Sequence, residues 1–393
     1  MVTDKEKMRR PVLAALMFLA LIIFPFGQLA VLPLPILLPA RLLLLDLFIG
    51  LFVFIFFIFQ LIGKNKLKIN GLFLPGLFFL GLALLSLLVN LPSLGFNQGL
   101  IAGFYLFRLT AYLLFWLALI NQKLFSSNDL ICHLKTIGFF VCVFGLIQYF
   151  FWPDLTALKY LNWDDHYFRL TGLFLDPNFA GILLVLTFIL FYFDKDKWFV
   201  SRTLSLPLLA LSIALTYSRS AFISLFTVGL LAMLYYRKIK FFLIVVLFLA
   251  VAILFLPRSS GGEGVNLART STVNARLETV KEAVQLFKTR PFLGIGFNAY
   301  RYQRSEQSLK EVTNRAGGTT DNSFLFVLAT TGLFGLIAFV FFSGKMFVFS
   351  LKQRKITLSL SLVALAVNGL FINSLFYPWV LFWLVVLLVV YGE

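Results

Sequence analysis

Apolar residues fill the chain in runs of about twenty, broken by short polar joints, and that pattern predicts helices able to cross a bilayer. The runs fall at 11–31, 42–63, 71–91, 99–120, 137–152, 172–193, 204–217, 220–236, 241–256, 323–343, 358–376 and 378–391. Nine precede one long polar segment, 257–322, and three follow it. The expected fold class is therefore all-α: a polytopic membrane protein of about 12 transmembrane helices with one large extracytoplasmic loop. The division is 1–256, a membrane bundle of nine spans; 257–322, the loop; and 323–393, the last three spans. Inside the loop, Val273, Leu277, Val280, Val284 and Phe287 recur at helical spacing while Arg276, Lys281 and Lys288 lie off that stripe. This predicts an amphipathic helix lying on the membrane face, capped by Thr272 or Asn274 and stopped by Pro291.

Composition excludes a water-soluble fold, with 60% of residues hydrophobic, 13% charged and a mean hydropathy of +0.94. The net charge of +17 invites a nucleic-acid reading. Placement of the charges argues instead for topology. With the N-terminus inside, the inner joints and the first ten residues collect more than half of the 34 Lys and Arg, while the short outer joints hold Arg41, Lys159, Arg169 and Arg219. The positive-inside rule then puts both termini in the cytoplasm and 257–322 outside. Basic residues do not interleave with aromatic ones as nucleic-acid binding requires, so no nucleic-acid partner is expected. The first apolar run follows Lys5, Lys7, Arg9 and Arg10 without a small-residue cleavage site and reads as an uncleaved signal anchor. Cys132 and Cys142 are too few for a disulfide framework or a zinc site.

Charge at membrane depth is costly and calls for a partner or a function. Asp46 and Arg108 sit inside apolar runs, and Asp46 either pairs with Arg41 or Arg108 to hold helices together or serves a function. Asp176 stands near the outer start of the sixth span. Arg219, in Thr216-Tyr-Ser-Arg-Ser-Ala221, stands between two spans with almost no loop. A guanidinium fixed at the outer border suits a lipid diphosphate, because its fork matches two phosphate oxygens and its charge does not titrate away. The bland alternative is a side chain reaching lipid headgroups. Trp163-Asp-Asp-His166 could ligate a cation or anchor an interfacial loop, and adjacent carboxylates splay apart. Asp194-Lys-Asp196 reads as a solvated inner loop. The turn Gly294-Ile-Gly296 is a weak phosphate-loop signal and a better structural turn.

These elements resemble the O-antigen ligase and polymerase superfamily of bacterial membrane glycosyltransferases. Arg169-Leu-Thr-Gly-Leu-Phe-Leu-Asp-Pro-Asn178 is similar to the family's arginine, glycine and Pro-Asn element, and Ser218-Arg219-Ser220 to its Ser-Arg-Ser/Gly element. Ala275-Arg276-Leu277 resembles the arginine opening the loop helix, and Gly294-Ile-Gly296 the turn after it. Asp321-Asn322, nine residues and Gly332-Leu-Phe-Gly335 resemble the family's His-Asn-x9-Gly-x-x-Gly. Asp321 replaces the ligases' histidine, and an Asp-Asn pair is more like the polymerase branch.

The resemblance implies attack of an acceptor hydroxyl on the anomeric carbon of an undecaprenyl-diphosphate-linked glycan, without metal or cofactor. Arg219, Arg276 and Asp321 are the implied catalytic residues, with Arg169, Asp176, Asn178 and Asn322 binding substrate. Asp321 would take the hydroxyl proton or, less consequentially, cap the span that follows. The implied partners are a lipid-linked oligosaccharide donor, a glycan, lipid or protein acceptor, and membrane lipids; the implied site is the bacterial cytoplasmic membrane. A polymerase is the first expectation and a ligase the second. A lipid-linked oligosaccharide flippase is the alternative from another class, although no inverted repeat marks the chain as a transporter, and a noncatalytic scaffold is the third.

Overall fold

The computed structural model describes residues 4–33, 41–63, 66–161, 163–194, 198, 200–256, 263–303 and 318–392. Within them the chain is nearly all helix. The helices are α1 (Asp4–Ile23), α2 (Leu44–Gly63), α3 (Phe73–Leu94), α4 (Phe96–Gln122), α5 (Ser127–Phe151), α6 (Pro177–Phe193) and α7 (Arg202–Leu215). They continue as α8 (Arg219–Leu234), α9 (Ile239–Phe255), α10 (Ser271–Thr289), α11 (Ser323–Lys352), α12 (Ile356–Gly369) and α13 (Pro378–Tyr391). One antiparallel ribbon pairs β1 (Val31–Pro33) with β2 (Arg41–Leu43). Of the polar segment, residues 257–262 and 304–317 lie outside the described residues.

Six helical stretches among the described residues are long and apolar enough to span a bilayer: Arg10–Leu29, α2, α3, α4, α5 and α11. The other six apolar helices, α6–α9, α12 and α13, have 14–17 residues. At 1.5 Å per residue they reach about 21–26 Å, short of a hydrocarbon core about 30 Å thick. For α6 the packing gives the reason. It is buried along nearly its whole length, wrapped by α5, α7, α8 and α12, and so has neighbours rather than lipid to satisfy; a helix apolar all round belongs in such a position. The three helices after the polar segment pack among the first nine: α12 lies against α8 and α6, α11 against α3, and α13 against α4 and α5.

The helix borders differ from the hydropathy reading at several places. Helix α5 begins at Ser127 rather than 137, because a capping box between Ser126 and Asp129 starts it and buried Lys135 is neutralised by Asp194 at 2.9 Å. Asp194 is therefore half-buried in an ion pair and not the solvated acid expected; residues 195–197 lie outside the described residues. Helix α12 ends at Gly369, and 370–376 forms turns. Asp176 does not enter the membrane helix: it caps α6.

Asp46 pairs with Arg108 at 2.6 Å and accepts a hydrogen bond from the Tyr112 hydroxyl at 3.0 Å. Of the two readings of Asp46, this α2–α4 contact bears out the pairing with Arg108.

Helix α11 is broken. Gly332 has φ 67° and ψ −167°, outside the helical region, and the segment 291–296 crosses the break. Leu333 and Phe334 amides donate to the Pro291 and Phe292 carbonyls, while Ile295 and Gly296 amides donate to Ala329 and Thr330. A Cβ on Gly294 would lie 2.4 Å from the Thr330 carbonyl carbon, and one on Gly332 would lie 2.3 Å from that of Phe292. Both glycines are there because two backbones touch. Their hydrogen bonds satisfy the amides freed by the break, the condition for irregular backbone at membrane depth. The Gly294-Ile-Gly296 turn is thus structural, and it ties the polar segment to the last three helices.

Candidate functional site

Polar loops from several helix ends meet at one end of the bundle, and three helices start there by the same local chemistry. Leu175 and Tyr217 take left-handed backbone, with φ of 58° and 50°, which turns the chain sharply before α6 and α8. The next residue in each case is the N-cap. Asp176 Oδ1 accepts from the amides of Asn178 at 2.6 Å and Phe179 at 3.4 Å. Ser218 Oγ accepts from Ala221 and donates to Asn178 Oδ1 at 2.8 Å, which links the two helix starts. A left-handed conformation at a tyrosine or leucine stores backbone strain, and strain of this kind gathers at functional sites.

The third start corrects an expectation. Asn322, not Asp321, caps α11: its Oδ1 accepts from Phe324 and Leu325 at 2.8 and 3.0 Å, and its Nδ2 donates to the Leu370 carbonyl at 3.0 Å. Asn322 has the extended backbone of an N-cap, with φ −153° and ψ 121°. The cap bonds of α11 therefore fall to Asn322. Asn322→Ala should cost about 1 kcal/mol of stability, read as a lowered unfolding midpoint in detergent, whereas Asp321→Ala should leave the midpoint near that of the parent.

Arg169 is buried beneath the turn that carries Arg219. Its Nε donates to the Thr216 carbonyl at 3.0 Å and its Nη2 to Tyr217 at 3.5 Å. Burial, and then the fields of Arg269, Arg219 and Arg276, bring its pKa down to about 9, with Asp176 opposing them. It stays charged at neutral pH. The arrangement makes Arg169 a brace for the α7–α8 turn. Beside it, burial and the charges of Arg169 and Arg269 push His166 down to about 3, so its imidazole is neutral and a poor proton acceptor here. Among the described residues, no three His, Cys, Asp or Glu side chains gather as metal ligands.

Arg219 is the first residue of α8, and its Nη1 donates to the Arg269 carbonyl at 3.0 Å and the Leu267 carbonyl at 3.5 Å. Its Nη2 is buried and finds no hydrogen-bond partner among the described residues; the same is true of Arg276 Nε. Arg276 lies on α10, 6.0 Å over the Phe371 ring. Burial lowers its pKa while Asp321 and Asp176 raise it and Arg219 lowers it, which places all four in one electrostatic neighbourhood. Arg269 was not singled out from sequence. Its Nη1 donates to the Gly264 and Asn266 carbonyls at 2.7 and 3.0 Å, and its charge reaches both Arg169 and His166.

Helix α10 starts at Ser271 with Thr270 at the cap position and no side-chain cap bond, so neither Thr272 nor Asn274 plays the expected part. The two edges of the helix differ in burial. Val273, Leu277 and Val280 are exposed, and Ala283 and Leu286 are the buried residues that pack into the core formed with α3, α4 and α11.

Four guanidiniums, linked through Arg169 and Arg276, thus share one electrostatic neighbourhood with Asp176 and Asp321, two of them with buried N–H donors unused by the described residues. A buried donor without a partner costs about 1–3 kcal/mol, more on a charged group. Such a cost is understandable where an anionic ligand supplies the missing acceptor.

Residues 204–340 match the family model for O-antigen ligase. The match supports the O-antigen ligase and polymerase superfamily drawn from the motifs, whose members are glycosyltransferase-like membrane enzymes. It takes in Arg219, Arg269, Arg276, Asp321, Asn322 and both glycines of the α11 crossing. Arg169, Asp176 and Asn178 precede it, and the structure joins them to the matched segment through Thr216, Tyr217 and Ser218. No curated protein matches the chain.

Proposed function

We propose that the protein is a glycan polymerase that elongates a polyprenyl-diphosphate-linked glycan on the outer face of the cytoplasmic membrane. The observation that carries this reading is the pair of buried, unmatched donors on Arg219 and Arg276 within a cluster of four arginines. A diphosphate offers the density of negative oxygens that such a cluster needs.

The acceptor hydroxyl attacks the anomeric carbon of the donor sugar, the bond from that carbon to the diphosphate oxygen breaks, and polyprenyl diphosphate leaves with the electron pair. Negative charge gathers on the leaving oxygens, where Arg219 and Arg276 stabilise it electrostatically. Arg169 and Arg269 set the field and brace the turn. Asp321 accepts the hydroxyl proton. Asp176, Asn178 and Asn322 hold the helix starts in register, and the reading calls on no metal or cofactor. The divisions 1–256, 257–322 and 323–393 then act as bundle, outer cap and closing spans.

Two observations bear on the choice between polymerase and ligase. Asp321 replaces the ligases' histidine and favours polymerase, whereas the matching family model is described as ligase. Surface glycan from a deletion strain separates them. Single repeat units with no long chains indicate a polymerase; long polymer left unattached indicates a ligase.

The orientation is tested by cysteine labelling. Gln285 is exposed on α10, so Gln285→Cys should react with a membrane-impermeant maleimide in intact spheroplasts. Reaction only after lysis would reverse the topology, and with it the side on which transfer occurs.

A further inference from the structure

A cavity of about 450 Å³ opens beside the candidate site, within the roughly 300–1,000 Å³ of small-molecule sites. Its wall mixes aromatic rings with amides and guanidiniums: Tyr105, Trp163 and Tyr302 stand with Asn298, Arg108 and Arg301. None of the four arginines of the cluster lines it. It borders the carboxylates instead. Phe179, on its wall, gives its amide to Asp176. The Tyr377 phenol, also on the wall, sits in the field of Asp176. Asn373 donates at 2.7 Å to Thr319, two residues before Asp321.

The lining suits a sugar better than a second phosphate. Arg108 is neutralised by Asp46 at 2.6 Å, so one of the two guanidiniums on the wall, Arg108 and Arg301, brings donors without an excess of charge. Aromatic faces pack against the C–H faces of pyranose rings, while amides and guanidinium forks meet hydroxyls that have both donors and acceptors to satisfy. Place also matters. If the diphosphate occupies the arginines, an incoming hydroxyl has to reach the anomeric carbon from another side, and this cavity lies next to the Asp176 cap through Phe179 and carries Thr319 of the segment leading to Asp321.

We propose that the cavity is the acceptor subsite, holding the terminal sugar residues of the glycan that receives the transferred chain. Trp163 and Tyr302 are its specificity-determining rings. The proposal rests on the glycan-transfer reading.

The test uses the full-length protein in nanodiscs and, as probe, the repeat-unit oligosaccharide released by mild acid from the producing strain's surface glycan. Trp163→Ala and Tyr302→Ala should each raise the KM for this acceptor about tenfold, the effect of ~1.4 kcal/mol, and weaken its calorimetric binding to the same extent. The donor KM should not move, and Trp163→Phe should recover most of the loss. Unfolding midpoints near the parent's identify variants that are folded; if the alanine variants are not, the Trp163→Phe and Tyr302→Phe variants carry the same comparison with smaller shifts. A parent that transfers glycan, with acceptor KM and binding unchanged in the folded variants, overturns the subsite and leaves the reading intact. A raised donor KM also overturns it, since the cavity would then serve the donor. A parent that neither transfers nor binds the oligosaccharide removes the reading and the subsite together.

Discussion

Asp321→Asn is expected to leave the protein inserted and folded while slowing glycan transfer by about 10²-fold or more, the usual scale for a lost general base. Asparagine keeps the size and one oxygen but does not take up a proton at ordinary pH. The structure sharpens the experiment, because Asn322 supplies α11 cap bonds to Phe324 and Leu325. Alanine at 321 should therefore be as inactive as asparagine and nearly as stable as the parent. The measurement is elongation of a lipid-linked repeat unit by purified protein, read beside thermal unfolding. Undiminished elongation by the asparagine variant would move the proton elsewhere and leave catalysis to the arginines.

Arg219→Lys should retain less than about a tenth of the activity with near-normal expression. Arg219 spends Nη1 on the Leu267 and Arg269 carbonyls and keeps Nη2 buried without a partner among the described residues. A guanidinium can bind the backbone with one edge and a phosphate with another, and an ammonium, a compact point charge, cannot divide itself in that way. The loss of ~1.4 kcal/mol in the transition state is already tenfold. Loss in kcat with little change in donor KM places the contact in the transition state, whereas equal activity would reduce Arg219 to a headgroup contact.

Much of this was legible in sequence because hydropathy reports the solvent. Long apolar runs located the helices, since lipid and core ask the same of a side chain, and the stripe from Val273 to Phe287 located α10. Where polar groups pair out of sight the pattern misled. Lys135 looks like the end of a loop until Asp194 neutralises it, and so α5 begins ten residues before its apolar run. Asp321 and Asn322 are both good caps by residue type; only the extended backbone at Asn322 decides between them. The glycines of 294–296 and 332 were visible as a spaced pattern, but their meaning, two backbones in contact, depends on residues far apart in the chain. Arg269 carried no motif. It was one of ten basic residues in a polar segment, and only the folded chain brings its charge to Arg169.

The central claim, that the arginine cluster handles a departing polyprenyl diphosphate during sugar transfer, is tested most directly by following that product. Purified protein in nanodiscs is given a polyprenyl-diphosphate-linked repeat unit, and free polyprenyl diphosphate is quantified alongside glycan length. The account predicts one polyprenyl diphosphate released for every repeat added, with both signals lost in Arg276→Ala and Arg219→Ala. An intact donor that is neither cleaved nor elongated, yet crosses the bilayer when the protein is placed in sealed vesicles, would contradict it and identify a flippase.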